Sequence, residues 1–227
     1  NFVGIPKTID NDVNLTETSI GYDTAVEVAT HALDMLQPTA ASHKRIMILE
    51  VMGRDAGHIA LNAGIAGGAD IILIPEIPYS LNNIAGRIEQ IRKEGRNHAL
   101  MVVAESVKKE DGKKVTIKHI DGQVRLGGIG SYLADQIYKK TKTETRVTVL
   151  GHLQRGAQPS PRDRLVASAF GVHAVDMVMQ NKFNRIVVWQ NRGVTDIDIY
   201  RVTKKSNTVN PKGALIKTAK GLGICLG

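Results

Sequence analysis

Near the start of the chain, Pro6-Lys7-Thr8-Ile9-Asp10-Asn11-Asp12 gathers two carboxylates, an ammonium and a hydroxyl in one short polar stretch. Pro6 sets a backbone dihedral at its head. Asp and Asn bond their own backbone, so the stretch reads as a tight loop rather than a strand interior. A loop that offers a base, a cation and a hydroxyl can support proton transfer and phosphate chemistry. An isolated Asp-Asn-Asp is also an ordinary Asx-rich turn, and these residues alone leave both readings open.

Residues of the same kinds follow other apolar runs. Asp10 and Asp12 come just after Phe2–Ile5, Met52, Gly53 and Arg54 after Ile46–Val51, Glu105 after Leu100–Ala104, and His152 and Arg155 after Arg146–Leu150. In open α/β sheets, ligands bind beyond the carboxyl ends of the strands. Carboxylates at such ends suit hydroxyl recognition or proton abstraction, arginines suit bidentate phosphate capture, and glycines let a ligand approach the backbone. The ligand implied is a phosphorylated polyol or sugar, and the reaction is transfer at a hydroxyl. The chain has no G-x-x-x-x-G-K-[ST] loop, no G-x-G-x-x-G after a strand, no zinc-type His/Cys cluster and no nucleophile elbow.

Elements that could carry these residues are legible in the periodicity. Ser19–Leu36 repeats apolar positions at helical spacing, with Thr18 or Ser19 as cap and Pro38 as stop. Arg45–Val51 reads as a buried strand, then a glycine-punctuated turn and a small-residue helix over His58–Gly67. Strand Ile71–Ile74 precedes a Ser80-capped helix to Glu94, then strand Leu100–Ala104. Lys108–Lys118 reads as a hairpin or exposed loop. Helix Ile129–Lys140, strand Arg146–Leu150, helix Arg162–Met179 and strand Arg185–Trp189 follow, and after Asn191 the pattern fades into a polar tail with one apolar segment. Alternating strands and helices, with strands as continuous apolar runs, predict an α/β fold whose mainly parallel sheet is covered on both faces.

Composition bounds the function. The 227 residues are 42% hydrophobic and 23% charged, enough for one or two globular domains. No apolar run approaches the ~20 residues of a membrane span. The net charge of +8 is dispersed and aromatics are only 4%, which argues against a nucleic-acid partner and for anionic metabolites. A single cysteine, Cys225, excludes an internal disulfide and fits a reducing, cytoplasmic setting. The chain opens on Asn1 and enters directly on the polar loop, so it is expected to be a fragment with its upstream part missing.

Together, the motifs PKTIDND, VMGRDAGHIAL, the Ile74-Pro75-Glu76 triplet, and LGHLQRG followed by Asp163-Arg164 resemble the 6-phosphofructokinase family in its bacterial type, in the family's order and across essentially the whole chain. Leu222-Gly223-Ile224 is similar to the family's C-terminus. The resemblance implies a three-layer α/β/α, Rossmann-like, two-domain architecture. Residues 1–20 would end the phosphoryl-donor domain with the catalytic loop, 21–152 would form the fructose 6-phosphate domain, and 153–227 would return to the donor domain. It also implies ATP or pyrophosphate as donor with Mg2+, and a homotetramer or dimer in the cytoplasm. Asp10 matches the base that takes the proton from the C1 hydroxyl. Thr8 and Asp12 match its neighbours at the transferred phosphoryl and the magnesium environment. Met52, Gly53 and Glu105 match sugar contacts, and Arg54 a charge-stabilising cation. His152 and Arg155 match contacts to the 6-phosphate, and Arg45 and Arg146 match arginines that reach a neighbouring subunit's site.

Several positions depart from the family's pattern. Its glycine-rich donor loops and main magnesium aspartate lie upstream of PKTIDND, so this chain is expected to be inactive alone, and a noncatalytic sugar-phosphate-binding subunit is an alternative. Lys7 stands where typical bacterial ATP-dependent members carry glycine; lysine is usual in pyrophosphate-dependent members and occurs in some ATP-dependent branches, so Lys7 alone leaves the donor open. ATP is favoured on the remaining motifs. Ala157 replaces a glycine. Gln37 and Glu94 occupy positions that are basic in the family's effector site, while Arg96 and Asp70 keep their character. His31, His43, His98, His119 and His173 are read as structural or exposed, Asp163-Arg164 as a structural helix start, and Asp55 and His58 receive no role.

Overall fold

The computed structural model describes residues 1–118 and 124–227. Its order is β1 (Val3–Gly4), α1 (Tyr22–His43), β2 (Ile46–Val51), α2 (His58–Ala66), β3 (Ile71–Leu73), α3 (Leu81–Lys93), β4 (Ala99–Ala104), β5 (Thr116–Lys118), β6 (Val124–Leu126), α4 (Ile129–Thr141), β7 (Thr145–Val149), a 3₁₀ turn over Gly151–Arg155, α5 (Pro161–Met179), β8 (Arg185–Gln190), β9 (Gly193–Asp198), α6 (Ile199–Val202) and α7 (Ala214–Gly221).

The apolar runs without alternation become central strands. β2 and β4 are buried at every position and lie side by side in a four-stranded sheet, β3-β4-β2-β7, whose neighbours are all parallel. Parallel strands need crossovers, and crossovers are right-handed. From β2 the chain crosses through α2 to β3 at one edge, then returns through α3 to β4 and passes through α4 to β7. Opposite directions of travel put α2 on one face and α3 and α4 on the other. The packing agrees: α1 lies against α2, and α3 against α4. Glu50, 2% exposed, is the one charge inside β2. Its carboxylate accepts the Gly128 N–H at 3.0 Å and the Gly130 N–H at 2.8 Å, satisfying the start of α4. A Cβ at residue 130 would lie 2.8 Å from Val147 and 3.0 Å from that carboxylate, so only glycine fits.

A second sheet, β1-β8-β9, pairs β1 parallel and β9 antiparallel to β8. Alternation along β8 sends Val187 toward Phe170 and Met177 of α5, and Ile186 and Val188 toward Ile197 and Val202. The C-terminus returns to the first sheet. Cys225 donates its N–H to Asp70 O at 3.0 Å and accepts from Ile72 at 2.9 Å, covering the β3 edge.

Three expectations are corrected. Pro38 does not stop α1; it sits inside the helix on an exposed face. The carbonyl it leaves without a partner is that of exposed Asp34, which water can satisfy, while buried Ala40 holds the last turn to the core. Neither Thr18 nor Ser19 caps α1; the cap is Gly21, at φ 99°. The polar tail after Asn191 contains a full strand, β9, plus α6 and α7. The charged segment does form a turn, with Lys108 bridged to Lys114 and then β5 paired antiparallel to β6. No helix among the described residues is long and apolar enough to cross a membrane.

The amides that open α1 are satisfied from far along the chain. Asp163, 2% exposed, accepts Gly21 N–H and Thr24 N–H, each at 2.9 Å, and the Thr24 hydroxyl. Ser160 caps α5 by accepting from Asp163 N at 3.1 Å and donates its hydroxyl to Asp23 at 2.7 Å. The two helix starts are thus fused, and Asp163-Arg164 is a structural helix start. Asp163→Ala strands several buried donors and is expected to lower the unfolding free energy by about 2–4 kcal/mol in denaturant titration. A loss below ~1 kcal/mol would contradict this account.

Candidate active site

The crossover pattern makes β2 and β4 the place where adjacent strands send their chains to opposite faces, and a crevice opens there beyond the carboxyl ends. Met52-Gly53-Arg54 leaves β2 and Glu105 leaves β4 at this point. Arg54 donates its N–H to Glu105 Oε1 at 3.1 Å, closing the turn across the crevice. The turn is strained: Arg54 has φ 53° and Gly53 φ 151°. A Cβ at residue 53 would come within 2.5 Å of the Ala56 carbonyl, so glycine is required. A non-glycine residue in the left-handed region costs about 1–2 kcal/mol, and Arg54 is kept there by the carboxylate.

The loop from β1 brings the other half. Thr8 Oγ1 donates to Asp10 Oδ2 at 3.4 Å and accepts from Asp10 N at 3.2 Å, closing a small turn on itself. Asn11 adopts φ 54°, and Ser19 ties the loop by donating to Thr8 O at 2.7 Å and to Asn11 Oδ1 at 3.1 Å. Ser19 is therefore a loop anchor. Asp10 is 8% exposed, and its Oδ1 is buried without a hydrogen-bond partner. Burial first, and then the Asp12 charge, push its carboxyl above the usual aspartate range; the Thr8 hydrogen bond and the Arg155 and Arg54 charges pull it back. Glu105 is raised too, by burial and by the Asp10 charge, against the N–H groups of Arg54 and Gly53. Three carboxylates and two guanidinium groups thus share one field.

The 3₁₀ turn supplies the third side, with His152 and Arg155 exposed on it. Its buried member, Gln154, is a residue that sequence reasoning did not single out. Gln154, 1% exposed, accepts the Met52 N–H at 2.7 Å and so fixes the end of β2 from 102 residues away. Nothing in the sequence marks Gln154 as buried, and only its Oε1 finds a partner; its Nε2 is buried without one.

The structure brings together Thr8, Asp10, Asp12, Met52, Gly53, Arg54, Glu105 and Arg155, with His152 alongside. It does not bring Arg45 and Arg146 to them. Both sit at the opposite, amino-terminal ends of β2 and β7 and share Glu144, at 2.9 Å and 2.5 Å. Lys7 is exposed, and its backbone is bridged to Ile20. Among the histidines, His173 meets Asp196 at 3.1 Å, His98 contacts Gln37 and His43 contacts Thr39, while His31 is exposed; His119 lies outside the described residues. Asp55 pairs with Lys114 at 2.7 Å. His58, given no role from the sequence, bonds a tail residue behind the Asp10 loop.

Fold and site define an α/β protein with a desolvated carboxylate and paired arginines at the switch point of a parallel sheet. The phosphofructokinase family model matches residues 1–178. Over its whole length the chain is 60% identical to the ATP-dependent 6-phosphofructokinase 1 of Nostoc sp. and 58% identical to that of Synechocystis sp., covering 63% of each of those proteins. The solved pyrophosphate-dependent phosphofructokinase of Marinobacter aquaeolei matches 99% of this chain, and 57% of its own, with TM-score 0.78 at 25% identity. The phosphofructokinase of Saccharomyces cerevisiae matches 97%, and 27% of its own chain, with TM-score 0.78 at 28% identity. The chain belongs to the phosphofructokinase family. It spans 63% of the length of these two relatives.

Asp10 is expected to titrate above the usual 3.8 of an aspartate when followed by carboxyl carbon NMR, and Asp12→Asn to lower that value by removing the neighbouring charge. A raised folded pKa means that the native state holds this proton more tightly than the unfolded chain. Stability is therefore lost as pH rises from the usual range through the folded value, and stays lost at neutral pH. Asp10→Asn should then melt higher than the parent protein at pH 7; a lower melting temperature would count against this picture.

Proposed function

We propose that this phosphofructokinase transfers the terminal phosphoryl group of ATP to the C1 hydroxyl of fructose 6-phosphate, with Asp10 as the base. The observation that carries the reading is the buried, unpartnered Asp10 oxygen beside Thr8, with Arg54 and Arg155 in its field. Burial that lifts a carboxyl toward the working pH makes it a better proton acceptor. The hydroxyl proton passes to Asp10 as the C1 oxygen attacks phosphorus in line and the bond to the leaving diphosphate breaks. Arg54, held by Glu105, meets the charge that develops on the transferred group, because such catalysis is mostly positioning and electrostatics. Glu105, Met52 and Gly53 line the sugar side, and His152 and Arg155 the 6-phosphate side.

Magnesium suits the donor set only in part. Asp12, with Asp10 and Thr8, offers hard oxygen ligands, but no cluster of three or more metal-ligating side chains occurs among the described residues. Mg2+ commonly takes one or two carboxylates and completes its shell with water and substrate phosphates, so Asp12 would hold it from the protein side. Bound there, it would neutralise phosphate charge.

We further read residues 1–20 and 153–227 as elements of the donor domain and 21–152 as the sugar-phosphate domain. Exposed Leu165, Val172, Val175 and Met179 on α5 support a larger unit around the β1-β8-β9 sheet. Arg45 and Arg146, remote from their own chain's site, support a homo-oligomer in which they reach the neighbour's sugar phosphate. A cytoplasmic location accords with these readings.

Pyrophosphate as donor is the second reading, favoured by Lys7 at the head of the loop. Full-length enzyme assayed with ATP and with pyrophosphate side by side separates the two. Turnover with ATP is expected, and Asp10→Asn should lower kcat by about 10²–10⁴; turnover with pyrophosphate alone would reverse the donor assignment. Control by ADP or phosphoenolpyruvate should be weak, because Glu94 faces Gln90 at 2.9 Å and Arg96 is engaged by Asp70. A strongly cooperative response to either effector would refute that.

A further inference from the structure

The Asp10 loop is poorly supported from behind. A polar cavity of about 350 Å³ lies there, lined by Asn11, Tyr22, His58, Asn62 and Asn207 among others, so close packing does not hold the loop on that side. Its backbone carbonyls at Asn11 and Asp12 belong to no strand. Both are bonded by one residue of the C-terminal tail. Asn207 donates its side-chain Nδ2 to Asn11 O at 2.9 Å and its backbone N–H to Asp12 O at 2.8 Å. Its own carbonyl lies 3.2 Å from His58 Nε2. A carbonyl can only accept, so His58 carries the proton on Nε2.

The tail is anchored beyond this contact. Val209 donates its N–H to Glu76 Oε1 at 2.8 Å, and the same oxygen accepts Gly57 N–H at 3.0 Å. Val209 is 6% exposed and joins the core of the four-stranded sheet. Upstream, Val202 packs against β8 and β9. Residues 203–209 therefore run from one sheet to the other across the back of the loop. His58 opens α2, so the strap also joins the loop to the helix that follows the Met52-Gly53-Arg54 turn.

We propose that Asn207 is a positioning residue: it holds the two peptide carbonyls that follow Asp10 and so fixes where the Asp10 carboxylate points. The inference rests on Asp10 being the base. Asparagine suits the task because its amide donates while its backbone both donates and accepts. Loss of the amide frees the Asn11 peptide, and a displacement of about 1 Å at a base can cost up to ~10²-fold in rate. Substrate binding should be spared, because Asn207 lies behind the loop and away from the sugar side.

The test compares full-length parent, Asn207→Ala and the isosteric Asn207→Asp. Asn207→Asp keeps the backbone bonds but replaces the donor by an oxygen facing the Asn11 carbonyl. It also serves as the second variant should Asn207→Ala fold poorly. Two readouts are taken. Amide hydrogen exchange of a peptide spanning residues 8–18 should accelerate about tenfold or more, with exchange in β2 and β4 unchanged. Steady-state kinetics should show kcat lower by roughly tenfold, with KM for fructose 6-phosphate within about twofold. Unchanged exchange in the loop overturns the strap. Accelerated exchange with unchanged kcat overturns the positioning role. A parent enzyme without turnover on either donor counts against the functional reading, while the exchange arm still decides the strap.

Discussion

The buried Asp163 carboxylate is the interaction on which the arrangement of the site depends. It accepts the first amides of α1 from 142 and 139 residues away, where a local serine or threonine cap would have served an isolated helix. The cap is therefore also a tertiary joint. The Asp10 loop lies upstream of α1 with no helix or strand between them, and the turn bearing His152 and Arg155 stands in the same relation to α5. Joining the two helix starts brings the two approaches together, one from each sheet. A hydrophobic contact could hold the helices at similar separation, but it would not fix their ends, because apolar packing is non-directional. Three directed bonds to one desolvated carboxylate do.

Within that frame the site stores unfavourable electrostatics. Asp10 and Asp12 are two residues apart, and Glu105 stands across the crevice, so burial and mutual repulsion all oppose ionisation of Asp10. Arg54 and Arg155 offset part of that cost without removing it. The same carboxylate that adds to the repulsion, Glu105, holds Arg54 in its left-handed conformation. Strain and raised pKa thus meet in one crevice, as expected where structure gives up stability for chemistry. The ordered surroundings needed to sustain this come from β2 and β4, whose residues are buried throughout.

Much of this was legible from residue types. Continuous apolar runs marked β2, β3 and β4, and the Ser80 cap of α3 was read correctly, its side chain accepting from Asn82 N. The concentration of Arg54, Glu105 and Arg155 after predicted strands pointed to one crevice because parallel strands expose the same ends, whereas Asp10 enters that crevice from the other sheet, which spacing along the chain does not reveal. Other features were not legible. Pro38 continues a helix because its missing bond falls on the solvent side, which no local rule anticipates. Ser19 serves the loop rather than α1, because a distant carboxylate already takes the helix amides. β9 hid in a mixed polar segment because its two faces are covered by different partners, Ile197 by the small core around Val202 and Val194 by the α5 cluster, while Asp196 is half-hidden by His173 and Arg185.

By itself, the sequence determined the elements and the cast of the site: periodicity, caps and turn residues act within a few positions, and side-chain chemistry is intrinsic. Only the tertiary structure decided the partnerships. Gln154 with Met52, Asp163 with Thr24 and Asn207 with Asn11 each join residues more than a hundred positions apart. It also decided that Arg45 and Arg146 sit at the far pole of their own sheet. The physical reason is that a hydrogen bond or a desolvation penalty depends on distance and burial in space, and folding sets both through contacts that leave no spacing pattern along the chain.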